Sequence, residues 1–155
     1  MAVSILDELH DLLPRLADQT TRAEAARPFS KAFYQLYLAR SADPSSDQSE
    51  GVERFLTGSA QILEPALPYL DYHLCDRVEA RLKAGAEAED WPIICELRST
   101  LEALKELYRP HLPMDDLIPE DEDLDTAIKT KAGAQAQPGP APSGVPQSHW
   151  WWQLH

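Results

Sequence analysis

The feature that most constrains the fold is a run of apolar residues between Pro92 and Pro110, spaced alternately three and four positions apart. This spacing places the side chains along one side of an α-helix, as in the seam of an antiparallel bundle. Asp90 can cap a helix that begins here, Pro92 suits its first turn, and Pro110 cannot continue it. The run is too short for a free coiled coil, so it predicts a core helix. Its members are Ile94, Leu97, Leu101, Leu104 and Tyr108.

Four further stretches before residue 111 have helical apolar periodicity. Pro14 interrupts the first, and we expect a kink there or an end near Leu13, because a proline inside a helix costs about 3 kcal/mol. Neither an alternating strand pattern nor an Asn-Gly or Asp-Gly hairpin turn occurs. The sequence therefore predicts an all-α fold, an irregular bundle of four to five helices. The other helices are predicted from Ser4, over Thr21–Arg40, over Gly51–Leu63 and over Pro68–Ala84, with Gly85 ending the last.

Charge and composition divide the chain into four parts. Residues 1–111, the predicted bundle, contain 12 Lys and Arg against 19 Asp and Glu. Residues 112–131 form an acidic segment broken by prolines, with 2 basic against 7 acidic residues. Residues 132–148 lack charge and apolar periodicity, and we predict a flexible, disordered Pro/Gly/Ala-rich linker. Residues 149–155 form a Trp-rich terminal motif.

Three of the four tryptophans are consecutive in this motif, whereas Trp91 alone lies in the predicted bundle. Each indole has roughly 150–250 Å² of surface to bury. The rings could dock on their own bundle, insert into a pocket of a partner protein, or lie at a membrane interface. Tryptophan is a preferred anchor of protein interfaces, and this favours the partner protein. The predicted partner-binding residues are His149, Trp150, Trp151, Trp152 and Leu154.

The acidic segment offers a second candidate binding region, because acidic residues interleaved with Leu and Ile can dock on a basic, grooved partner. It lacks the Gly and the final Glu of a calcium loop, so no metal site is predicted. The candidate residues are Asp115, Asp116, Glu120, Asp121, Glu122, Asp123 and Asp125.

The leading functional prediction is a non-enzymatic, cytoplasmic adaptor that binds a partner protein through the terminal motif, with self-association through the bundle left open. No catalytic motif, cofactor site or metal site is evident, and His73, Cys75 and Cys95 are the residues to watch for an active-site cleft. Without a basic patch or an apolar span, neither nucleic acid nor membrane is an expected partner. The alternatives are an acidic regulator that mimics an anionic ligand such as nucleic acid, and an assembly chaperone for a larger enzyme.

Overall fold

A computed structural model of the chain describes residues 2–42, 49–85, 87–119, 122–135, 141–142 and 145–154. These residues form helices and turns without any strand, so the predicted all-α class is confirmed. Among the described residues, five helices precede residue 111, within the four to five expected, and two more follow. The helices are α1 (Ala2–Ala17), α2 (Arg22–Ala42), α3 (Ser49–Leu63), α4 (Leu67–Lys83), α5 (Trp91–Tyr108), α6 (Met114–Leu117) and α7 (Glu122–Gln135).

Helix α5 is the centre of the bundle and packs against α2, α3, α4 and α6. All five residues of the predicted seam are buried, which confirms that the seam is core. Burial also extends to a second, polar side of α5 that includes Arg98 and Ser99. The seam alone does not explain this burial, because a polar side of an amphipathic helix normally faces solvent. Another part of the chain must therefore cover it.

Helix α1 continues through Pro14 to Ala17, so the alternative that it ends near Leu13 is wrong. The proline removes one backbone hydrogen bond at a cost of about 3 kcal/mol. Packing offsets this cost, since α1 packs against α2 and α3 and its apolar stripe is buried on both sides of the proline. The buried residues of this stripe are Leu9, Leu12, Leu13 and Leu16.

The connection between α4 and α5 follows the sequence closely at one residue and departs from it at another. Gly85 has a φ of 115°, the left-handed conformation expected at the end of a helix. Asp90, by contrast, makes no side-chain hydrogen bond that caps α5. Its carboxylate accepts the Glu87 N–H at 3.0 Å and a guanidinium N–H of Arg81 at 2.7 Å. The Asp90 side chain therefore binds the preceding 3₁₀ turn and α4 instead of the first turn of α5.

The acidic segment does not stand apart from the bundle. Helices α6 and α7 form within it, on either side of Pro119, and α7 packs on α4. Its apolar residues belong to the same core cluster as the seam, so the change of charge near residue 111 is not a packing boundary. Helix α7 extends to Gln135, into the region expected to be a flexible linker, of which 136–140 and 143–144 lie outside the described residues. The buried residues are Leu112, Met114, Ile118, Leu124 and Ile128.

Candidate functional site: the docked terminal segment

Residues 145–154, the terminal segment, lie against the polar side of α5. A 3₁₀ turn over Trp150–Gln153 orients the three indoles. Trp151 is 2% exposed and Trp152 6% exposed, while Trp150 is half-buried. Of the alternatives that the sequence left open, the structure shows the indoles docked on their own bundle. Disorder of the linker 132–148 is not confirmed, since residues 145–148 lie in this docked segment. Burial of the two indoles helps to offset the segment's loss of conformational freedom.

Both buried indoles donate hydrogen bonds to one atom. The Nε1–H of Trp151 and the Nε1–H of Trp152 each lie 2.9 Å from the Oγ of Ser99. One turn earlier on α5, the thiol of Cys95 donates to the carbonyl oxygen of Trp151 at 3.2 Å. Cys95 and Ser99 are small and four positions apart, so they leave room on one side of the helix for large rings. Burial raises the pKa of the Cys95 thiol to about 12, which keeps it protonated as a donor.

His149 connects the indoles to the rest of the bundle. Its ring stacks on Trp151, with ring centroids 4.6 Å apart, and on Tyr37 of α2 at 5.8 Å. Its Nδ1 lies 3.0 Å from the Ser99 Oγ, and its Nε2 lies 3.4 Å from a carboxylate oxygen of Glu106. His149 is 1% exposed, so each of its ring nitrogens meets a polar partner inside the protein.

The Ser99 hydroxyl determines which atoms of this network donate hydrogen bonds and which accept them. A hydroxyl oxygen accepts through two lone pairs and donates one proton. The N–H groups of Trp151 and Trp152 occupy both lone pairs, so the hydroxyl proton is left for the Nδ1 of His149. The imidazole proton then lies on Nε2 and points towards Glu106. With its proton on Nε2, the imidazole of His149 satisfies every donor and acceptor around Ser99.

Glu106 and Tyr37 form the other end of the network. The Tyr37 hydroxyl donates to the second carboxylate oxygen of Glu106 at 2.7 Å. Burial acts against the charge on Glu106, but the hydrogen bonds from His149 and Tyr37 outweigh it and lower the pKa of this carboxyl. For Tyr37, burial and then the neighbouring carboxylate raise the pKa of the phenol. At neutral pH Glu106 is thus a carboxylate and Tyr37 a phenol.

Two cations lie over the indole faces. The Arg98 guanidinium is 4.3 Å from the ring centre of Trp151, and the Lys129 ammonium of α7 is 4.7 Å from that of Trp150. The two carboxylate oxygens of Asp125 accept hydrogen bonds from the Arg98 guanidinium, at N–O distances of 2.8 and 3.2 Å. Burial acts against the charge on Arg98, but bonds to Asp125 and Glu102 outweigh it and raise the pKa of the guanidinium. A cation over an indole is attracted to the negative ring face.

The predicted acidic residues are not all displayed in the same way. Four of them are exposed: Asp115, Asp116, Glu122 and Asp123. A carboxylate oxygen of Asp115 lies 3.8 Å from a guanidinium nitrogen of Arg109. Asp125 is instead engaged inside the chain by its bidentate bond to Arg98. Glu120 and Asp121 lie outside the described residues.

The predicted terminal residues all belong to one cluster. Leu154 and Trp150 are half-buried beside Trp151 and Trp152, and His149 lies beneath them. Sequence reasoning missed their counterparts on the bundle, the docking face. The only signal was a second stripe on α5, formed by Cys95, Ser99, Glu102 and Glu106, and such a polar stripe is more typical of a solvated face. The docking face consists of Tyr37, Cys95, Arg98, Ser99, Glu106 and Lys129.

The structure gives the three residues watched for an active-site cleft different neighbours. The Cys95 thiol is used by the terminal segment, and the Cys75 thiol donates to Asp71 at 3.4 Å. The Nε2 of His73 is buried and has no hydrogen-bond partner among the described residues. Within those same residues, no group of His, Cys, Asp and Glu side chains has the arrangement of a metal site.

Comparisons of the chain with protein-family models, with curated proteins and with solved structures found no match. Among the helices that the structure describes, none is both long and apolar enough to cross a membrane.

Proposed function

We propose that this protein is a non-enzymatic, cytoplasmic adaptor whose terminal segment alternates between the docking face and a pocket on a partner protein. In the docked state the segment covers α5 and the binding motif is withheld. In the released state His149, the three indoles and Leu154 bind the partner. Neither Cys75 nor Cys95 forms a disulfide, which is consistent with the reducing cytosol.

The observation that carries the proposal is a mismatch between the docking face and its occupant. The face includes Ser99, Glu106 and Tyr37, whose polar atoms water can satisfy once the segment leaves. The indoles of Trp151 and Trp152 are largely apolar and need cover wherever they lie. Release of the segment therefore leaves a docking face whose polar atoms water can satisfy. It also leaves indoles whose exposure to water is unfavourable. A partner with an apolar pocket and a hydrogen-bond acceptor removes the main cost of release.

Approximate energetics indicate that docking is marginal. Burying two indoles contributes about 10 kcal/mol at roughly 25 cal/mol per Å². Five hydrogen bonds between the segment and the docking face, at about 1 kcal/mol each, contribute about 5 kcal/mol. Ordering the ten residues of 145–154 costs about 10–15 kcal/mol, at about 1–1.5 kcal/mol per residue. The balance lies within a few kcal/mol of zero, a range in which a partner can compete.

The test compares three full-length baits in quantitative affinity capture. The wild-type protein withholds the motif, the Ser99→Ala variant releases it, and a third bait adds Trp150→Ala, Trp151→Ala and Trp152→Ala to Ser99→Ala. We expect a partner that is enriched by Ser99→Ala over wild type and lost from the third bait. Binding of that recombinant partner is then measured by calorimetry. Equal capture by the second and third baits would show that the indoles do not bind a partner.

The exposed carboxylates of the acidic segment favour a second candidate, an acidic regulator that occupies a basic site. The side chain of Asp115 is 85% exposed, and Asp116, Glu122 and Asp123 are exposed as well. Binding through these residues weakens steeply with salt, whereas binding through the indoles changes little. A salt titration of the captured partner, with Asp115→Asn and Asp116→Asn as a paired variant, separates the two functions. Loss of binding in that variant alone would favour the acidic regulator.

A further inference from the structure

A cavity of about 240 Å³ lies between α2, α4 and α5. Four of its lining residues carry a positive charge and one carries a negative charge. The whole chain has a net charge of −12, so composition does not explain this excess of cations. The charged lining residues are Arg27, Lys31, Arg77, Arg81 and Glu96.

Three of these four cations have no ion-pair partner within the described part of the chain. Arg81 is paired with Asp90 at 2.7 Å. The side chains of Arg27, Lys31 and Arg77 form no ion pair with any residue that the structure describes. Burial, and then the neighbouring Arg27 and Arg81, lower the pKa of Arg77. The guanidinium groups are therefore close enough to repel one another, and a bound anion would relieve that repulsion.

A second observation also indicates a ligand. Ser30 lines the same cavity, is only 4% exposed, and its hydroxyl has no hydrogen-bond partner among the described residues. Unpaired buried hydroxyls are uncommon in proteins because each costs about 1–3 kcal/mol. The Tyr34 hydroxyl on α2 and the His73 Nε2 on α4 are also buried without a described hydrogen-bond partner. The cavity thus combines three cations that form no ion pair with a described residue and a hydroxyl that lacks a described hydrogen-bond partner.

The geometry points to an anion-binding site in this cavity that takes the phosphate group of a small phosphate monoester. Guanidinium forks and an ammonium suit a divalent oxyanion, and the Ser30 hydroxyl can donate to a phosphate oxygen. The cavity is larger than one phosphate group, and Ile93 and Leu97 line it with apolar surface for the carbon part of an ester. This site lies apart from the residues of the docking face, so it is independent of the proposed function.

The experiment is calorimetric titration of the full-length protein with glycerol phosphate and with inorganic phosphate. We expect saturable binding of both, with the ester bound more tightly. Arg77→Gln removes a charge-assisted bond and should weaken ester binding by about tenfold or more. Arg27→Gln and Ser30→Ala should weaken it too, and the exposed Arg27 provides the test if another variant does not fold. Glu96→Gln removes the only carboxylate of the lining and should strengthen it.

The matched control is Arg54→Gln, which makes the same charge change at an exposed position on α3. It should bind both ligands as wild type does. Amide shifts in two-dimensional NMR should change on α2, α4 and α5 when ester is added. Absence of saturable binding, or equal weakening by Arg54→Gln and Arg77→Gln, would overturn the site. Inorganic phosphate binding as tightly as the ester would overturn its assignment to a monoester.

Discussion

Replacing Ser99 with alanine removes one hydroxyl group and withdraws the hydrogen-bond partner of three buried groups in the terminal segment. The indole N–H groups of Trp151 and Trp152 lose their acceptor, and the Nδ1 of His149 loses its donor. The alanine side chain fits the same space, so the change creates almost no cavity. The effect therefore reports on hydrogen bonding at the docking face.

The size of the effect follows from these three groups. Each of the three buried groups left without a partner costs about 1–3 kcal/mol, so the docked state loses about 3–9 kcal/mol. This loss is similar to, or larger than, the few kcal/mol that docking contributes. The segment should consequently detach, and its detachment limits the loss in the free energy of unfolding to the contribution of docking. Helices α1–α5 should stay folded, because their core does not depend on Ser99.

Intrinsic tryptophan fluorescence measures this detachment. Trp91 is fully buried in the bundle and should keep its emission, whereas the three terminal indoles should shift to the red as they meet water. The matched control is Ser59→Ala on α3, where a buried hydroxyl contacts the Tyr108 hydroxyl at 2.7 Å. The control should lower the free energy of unfolding by about 1 kcal/mol without a red shift. Unchanged emission from Ser99→Ala, with native circular dichroism, would refute the role of the Ser99 hydroxyl as the shared partner of both indoles.

Three further predictions concern other residues. Burial raises the pKa of the Cys95 thiol to about 12, so this thiol should resist maleimide in a variant that lacks Cys75. Truncation after Gln147 should make the thiol reactive. Equal labelling rates in the full-length and truncated proteins would contradict this. Hydrogen bonds to Glu106 outweigh its burial and hold the pKa of its carboxyl in the folded protein below the ordinary 4.5. The contribution of Glu106 to the free energy of unfolding is therefore present above pH 4.5 and is lost as the pH falls through the pKa of the folded state. Fluorescence titration should show docking weaken over that range, less steeply in Glu106→Gln. Gly85→Ala forces a φ of 115° on a residue with a Cβ and should lower the free energy of unfolding by about 1–2 kcal/mol in urea denaturation. Gly58→Ala, whose added Cβ meets nothing within 4 Å on helix α3, should instead raise it by about 0.5–1 kcal/mol.

Sequence reasoning succeeded where the signal was local and strong. The spacing from Ile94 to Tyr108 predicted both a helix and its buried side, because 3.6 residues per turn convert spacing directly into position. Gly85 was placed correctly at the end of α4 because few other residues adopt a positive φ. At Pro14 one of its two alternatives was wrong, because α1 does not end near Leu13 but continues to Ala17. Burial on both sides of the proline outweighs one missing hydrogen bond, and no pattern within α1 reports on how well its neighbours pack.

The acidic segment and the terminal segment show the same limit more clearly. Leu124 and Ile128 looked like isolated apolar residues in a charged stretch, yet both are buried in the core. The sequence by itself determined that the chain is helical, where α5 lies, and that three indoles near residue 150 need cover. Only the tertiary structure decided what covers them. Ser99 offers two lone pairs to two indoles from a position about fifty residues earlier, and such a pairing depends on distance in space, which residue spacing along the chain does not encode.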